Sequence, residues 1–178
     1  MNAPSPGTVT TTHEVSRLTI TLDEGYEAFR RRYDEAVPVL PRDEMPAHSG
    51  SWADMVAWFD SIAPFGLVCY FRIEVDDAMG LAGHTVRGTQ YLVGNHTIVE
   101  RMFRHDPGVL LHAPLRSFLW APADGPTVLA VDRPSTVFAG YGNPEIDAVA
   151  RELDGRLAAL LEHLGATGLE PLRWRSTV

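Results

Sequence analysis

LRSFLWAPADGPTVLAVDR, residues 115–133, consists of two short apolar runs, 115–121 and 126–133, joined by the turn residues Pro122-Ala123-Asp124-Gly125. Two such runs around a Gly-containing turn predict a β-hairpin, so their strands are antiparallel neighbours. In the first run Leu115 and Leu119 fall on one face, with Phe118 and Trp120 on the other. Downstream lies the most regular element of the chain. Asn143 stands as cap, Pro144 takes the first helical position, and Gly165 lies beyond the end. Between them Ile146, Val149, Ala150, Leu153, Leu157, Leu160, Leu161 and Leu164 form one apolar stripe. A hairpin followed by a long amphipathic helix predicts an antiparallel sheet with that helix laid across it.

Working backwards, RGTQYLVG (87–94) reads as a strand ending at Gly94-Asn95, preceded by the turn DDAMGLAG (76–83). GLVCYFRIEV (66–75) alternates so that Leu67, Cys69, Phe71, Ile73 and Val75 should face the core. SRLTITL (16–22) alternates likewise and is the first strand. Asp23 is expected to cap a helix bearing Tyr26, Phe29, Arg30 and Tyr33, which ends before Pro38. The proline-rich stretch 37–50 reads as an extended loop and a candidate lid. Ser51 and Asp54 have capping-box spacing ahead of a second helix whose apolar face is Met55, Trp58, Phe59 and Ile62. The predicted class is α+β: a curved antiparallel sheet of about five strands against a long C-terminal helix, with two helices between strands one and two. Residues 1–13 read as a flexible tail, 14–170 as a single domain and 171–178 as a C-terminal tail. In that last segment Arg173-Trp174-Arg175 either frays or touches a partner.

Composition narrows the function classes. The formal charge is −8, and the basic residues, 15 in all, are arginines without a single lysine. Schiff-base chemistry and a P-loop lysine are therefore excluded, and a nucleic-acid partner is not expected. Cys69, the one cysteine, forms no intrachain disulfide and lies in an apolar run, which suits a buried role in a reducing cytoplasm. No secretory signal and no apolar run of membrane-spanning length is present, so the expected location is cytoplasmic, with no membrane partner.

Between the third and fourth strands, YLVGNHTIVERMFRHDPGVLLHAPLR (91–116) holds three of seven histidines. A helix over 96–104 capped by Asn95 puts His96 and Glu100 four residues apart, hence as neighbours. A carboxylate beside an imidazole can hold it as a general acid near neutral pH. The plainer alternative is that His96 helps close the helix start while Glu100 is solvated. His105 falls in a helix-ending turn, and His112 lies in an apolar context before Pro114. No zinc motif is present, and no metal or other cofactor is predicted. Haem could be held by a lone axial histidine such as His84, His96 or His112, which leaves no motif.

The chain resembles the domain of unknown function 302 family. The residues that carry the resemblance are Gly94-Asn95, the short helix after it, Asp106-Pro107, Leu111-His112-Ala113-Pro114-Leu115-Arg116, Gly125 and Pro134. His96 stands where the family has proline after Gly-Asn, and His112 interrupts a leucine-proline-leucine portion. The resemblance implies a TATA-binding-protein-like α+β fold and self-association, and implies no activity. Related helix-grip folds hold apolar molecules between sheet and helix, an analogy of fold alone.

The resulting expectation is a small-molecule-binding protein, with an enzyme of specialised metabolism or biosynthesis as one form of it. Its pocket would lie between sheet and helix, closed by the 37–50 loop. His96, Glu100 and His112 would be the catalytic acid–base groups, with Trp52, Trp58 and Tyr91 lining the site. The alternative is a non-catalytic homodimer anchored by Phe118 and Trp120 on the open sheet face.

Overall fold

The computed structural model describes residues 7–46 and 50–173. Five strands form one open antiparallel sheet: β1 (Arg17–Leu22), β2 (Val68–Glu74), β3 (Arg87–Gly94), β4 (Leu115–Ala121) and β5 (Thr127–Asp132). Their order is β1-β5-β4-β3-β2, so β2 to β5 meander and β1 returns to pair with β5. Helices α1 (Tyr26–Ala36) and α2 (Trp52–Ile62) lie between β1 and β2, as the sequence predicts. α3 (Asp76–Leu81) and α4 (His96–Phe103) follow β2 and β3, and α5 (Pro134–Val137) and α6 (Pro144–His163) follow β5. Among the described residues no helix is long and apolar enough to cross a membrane.

One face of the sheet is packed. Leu115 and Leu119 of β4 and Leu129 and Val131 of β5 share a core with Phe29 and Tyr33 of α1 and with the α6 stripe. The Asn143 side chain accepts from the N–H groups of Glu145 and Ile146 at 2.9 and 3.2 Å, and Gly165 takes φ +80° beyond the helix end. All eight predicted stripe residues are buried, and each Leu or Ile among them contributes roughly 1.5–3 kcal/mol. Polar groups on this face are paired. The Tyr33 hydroxyl bonds Ser117 Oγ at 2.9 Å, and burial pushes its phenol up to about 12. Asp154 of α6, 1% exposed, accepts from Arg133 Nε at 2.8 Å, Ser135 N at 2.8 Å and Ser135 Oγ at 2.6 Å. That network ties α5 to α6.

The second half of β2 departs from expectation. Leu67 and Cys69 are buried, yet Phe71 and Ile73 are 53% and 41% exposed. Cys69 pairs with Val93 and Phe71 with Leu92, which leaves Tyr70 as the extra residue of a bulge. Beyond it the two faces exchange. Arg72 and Glu74 turn toward α1, meeting Asp34 at 2.8 Å and Arg30 at 3.2 Å, while Phe71 and Ile73 join the open face. Val75 is half-buried and precedes α3, a helix where the sequence suggested only a turn.

Three smaller differences concern boundaries. Gly25, not Asp23, precedes α1, and no side chain caps that helix. Leu172, in the expected C-terminal tail, is 1% exposed because the chain folds back after α6 and buries it with Leu169. Arg173 pairs with Glu162, whereas Trp174 and Arg175 lie outside the described residues.

Candidate functional site

The β3–α4 junction is fixed by Asn95. Its Oδ1 accepts from Thr97 N at 2.8 Å and Thr97 Oγ1 at 2.7 Å, while its Nδ2 donates to the Gly66 carbonyl at 3.1 Å. This cap makes His96 the first residue of α4, at the rim of the sheet. There a satellite core of Leu40, Phe59, Ala63 and Val68 gathers Met55, Trp58, Ile62 and Tyr70 around it. The bulge sets Tyr70 beside His96, and the phenol hydroxyl bonds the imidazole Nδ1. The imidazole also lies 5.6 Å from the ring of Phe59 and 5.1 Å from that of Tyr70.

Tyr70, Asn95 and His96 border a cleft of about 400 Å³ whose other walls include Leu40, Arg42, Met45, Val99, Leu110 and Pro114. It is a largely apolar surface with one cation. Arg42 Nη2 donates to the Tyr70 carbonyl at 2.9 Å, and no carboxylate of the described residues pairs with Arg42. Burial pushes the Tyr70 phenol up; burial and then Arg42 push His96 below the usual histidine range. Both groups are therefore neutral at neutral pH. The phenol, the stronger acid of the two, donates to Nδ1, which puts the imidazole proton on Nε2.

Of the six residues singled out from the sequence, His96 alone lines this cleft. Glu100 turns away to an ion pair with Arg104, one helical turn on. His112 opens into a different cleft beyond the 110–114 turn. Trp52 is exposed at the start of α2, and Trp58 packs edge-on against Phe59 at 5.2 Å in the satellite core. Tyr91 points into the main core, 1% exposed, with its hydroxyl donating to Asp34 Oδ1 at 3.0 Å. The space between sheet and α6 is filled by side chains; a void there, lined by Val93, Met102, Phe138 and Leu153 among others, is about 20 Å³. The cleft lies instead at the end of the sheet.

The proline-rich loop does reach it through Leu40, Arg42 and Met45. Its first part is pinned to the β2 edge by Leu40 N to Cys69 O and Cys69 N to Pro38 O, both 2.9 Å. Residues 47–49 lie outside the described residues. Tyr70 and Arg42 were invisible as site residues because a bulge and a loop path leave no periodic signal. Among the described residues, no three His, Cys, Asp or Glu side chains gather to hold a metal ion.

Comparison with known proteins supplies a fold and a family. No curated protein matches the chain. A crystal structure of an uncharacterized conserved protein from Bacillus stearothermophilus, described as DUF302, superposes with a TM-score of 0.61 at 15% identity, covering 83% of this chain and 97% of that one. The model of the family described as Domain of unknown function DUF302 matches residues 59–164, more than half of the 178. The bulged β2, the Asn95 cap, the 110–114 turn and the whole of α6 fall inside that match. The chain belongs to the Domain of unknown function DUF302 family.

Proposed function

We propose that the cleft beside His96 binds a small molecule with an apolar body and an anionic or acceptor end. The observation that carries this reading is the pairing of neutral His96 with Tyr70 beside an Arg42 that has no carboxylate partner, at the edge of an otherwise apolar cavity. The Nε2–H of His96 and the guanidinium of Arg42 are the donors suited to such an end, and Leu40, Met45, Val99 and Leu110 to the body. The dyad is also able to pass a proton, because phenol and imidazole are in direct hydrogen bond; a catalytic role would use that path. Decanoate, an apolar chain with one carboxylate, is a suitable probe. In an NMR titration of the full chain the amides of Gly94, Asn95 and Val99 should shift saturably. Leu110→Glu, at a half-exposed position, should abolish the response and Arg42→Ala should weaken it by roughly tenfold, the loss of one charge-assisted hydrogen bond. Equal binding by both variants and the parent would sink the reading.

A second reading, a homodimer built on the sheet edge, is favoured by β2. Past the bulge its outer side has no partner strand among the described residues, and the exposed Phe71 and Ile73 continue into the open face. On that face the rings of Phe118 and Trp120 stack 5.3 Å apart. A two-fold axis through Ile73 would pair β2 with β2 of a second copy and set Arg72 opposite Glu74 at both ends, so the edge is complementary in charge to itself.

A further inference from the structure

Beyond the 110–114 turn a second cleft opens, with a lining of a different kind. It measures about 530 Å³ and is walled by His13, Arg17, His112, Arg116, Asp132 and Val137, among others. Its polar groups come from separate parts of the chain: the segment before β1, β1 itself, the turn before β4, β4 and β5. Asp132, the carboxylate among them, is already neutralised, since Arg17 donates Nε and Nη2 to its two oxygens at 2.7 and 3.1 Å. Arg116 has no carboxylate partner among the described residues, although most arginines of this acidic chain are paired.

The two histidines are positioned by packing. The ring of His13 lies so close over Gly140 that a Cβ there would come within 2.7 Å of it. His112 stands edge-on to Phe138 and Tyr141, at ring separations of 6.1 and 6.0 Å. Desolvation, then His13, then Arg116 push His112 below the usual histidine range. An unpaired guanidinium and two imidazoles thus face one cleft whose single lining carboxylate, Asp132, is already taken by Arg17.

We propose that this cleft is a binding site for a tetrahedral oxyanion of the phosphate class, held by Arg116, His112 and His13. The guanidinium offers a planar fork of donors, and each imidazole offers an N–H that becomes a cationic donor once protonated. The groups facing His112 are His13, Arg116, the closed Arg17–Asp132 pair and the Tyr141 phenol, which donates to the Gly108 carbonyl at 2.6 Å. A bound dianion reverses the depression of His112, so binding draws in a proton and strengthens as the pH falls.

Inorganic sulfate is the probe of choice, because its charge does not change between pH 5.5 and 7.5. In an NMR titration of the full chain, the ring signals of His13 and His112 should shift saturably, with affinity about tenfold higher at the lower pH. Arg116→Ala should lose about tenfold, the effect of one charge-assisted hydrogen bond, and its solvent-facing position leaves the fold intact. No saturable response at pH 5.5, or one unchanged in Arg116→Ala, overturns the proposal. Inorganic phosphate and phenyl phosphate then separate two sources of the same chemistry. Equal affinities support a free anion, and tighter binding of the ester supports an organic phosphate whose body lies on Val15 and Val137.

Discussion

Replacing Asp154 by Asn tests whether the buried network between α5 and α6 is as consequential as its geometry implies. The carboxylate accepts three hydrogen bonds, one of them from a guanidinium, and its side chain is 1% exposed against 24% for Arg133. Asn has nearly the same volume. It retains an oxygen for Ser135 N–H but turns an NH2 toward Arg133 Nε and Ser135 Oγ, where an acceptor is needed. Removing one member of a buried pair typically costs about 3–5 kcal/mol. The partial access of Arg133 to water argues for the lower end, about 3 kcal/mol, equivalent to a fall of roughly 6–12 °C in Tm. In urea this lowers the midpoint by about 1.5 M if m is near 2 kcal/mol/M, with m itself unchanged. The double change Arg133→Met with Asp154→Leu removes both charges and should recover more than half of the loss. Circular dichroism in urea on the three proteins decides the matter. A cost below about 1 kcal/mol for Asp154→Asn, or a double variant no better than the single one, would refute the reasoning. Because the same segment carries Val137 and Phe138 beside His112, the His112 ring signal should move with the stability.

Two further predictions concern pH and assembly. His96 and His112 are both held below the ordinary histidine value of about 6.5, so the unfolded chain takes up protons first; stability is complete above that pH and declines as the pH falls through the lowered values. The urea midpoint should therefore fall between pH 7.5 and 5.5, less steeply in His96→Gln and His112→Gln, and a midpoint that rises on acidification would contradict the sign. If the β2 edge pairs two copies, sedimentation should give a dimer that Ile73→Glu converts to monomer, whereas a concentration-independent monomer of the parent would remove that reading.

What was legible in the sequence was local. The β4–β5 hairpin, the α6 stripe, the Ser51–Asp54 box and the Asn95 cap each depend on residues a few positions apart, and each is present. The β2 alternation failed because nothing in GLVCYFRIEV marks Tyr70 as the residue that slips out of register. Tyr91 was taken for a lining residue, since an aromatic on a strand does not announce which face it occupies; Ser117 opposite it, and Val131 opposite Ser117 one strand further on, put it inside. Asp154 carries no local signal because its partners lie 19 and 21 residues away. His96 and His112 both depart from family hallmarks, yet a single turn, 110–114, separates the clefts they face.

The extra residue at Tyr70 also bears on how related chains should be aligned. β2 is written in two opposite phases, joined at one position. A homologue without the insertion would carry apolar residues on the positions that here hold Arg72 and Glu74, and polar ones in place of Phe71 and Ile73. An alignment that forces both through β2 without a gap would then score matched inner and outer positions as mismatches, and the strand would look divergent where only its phase differs.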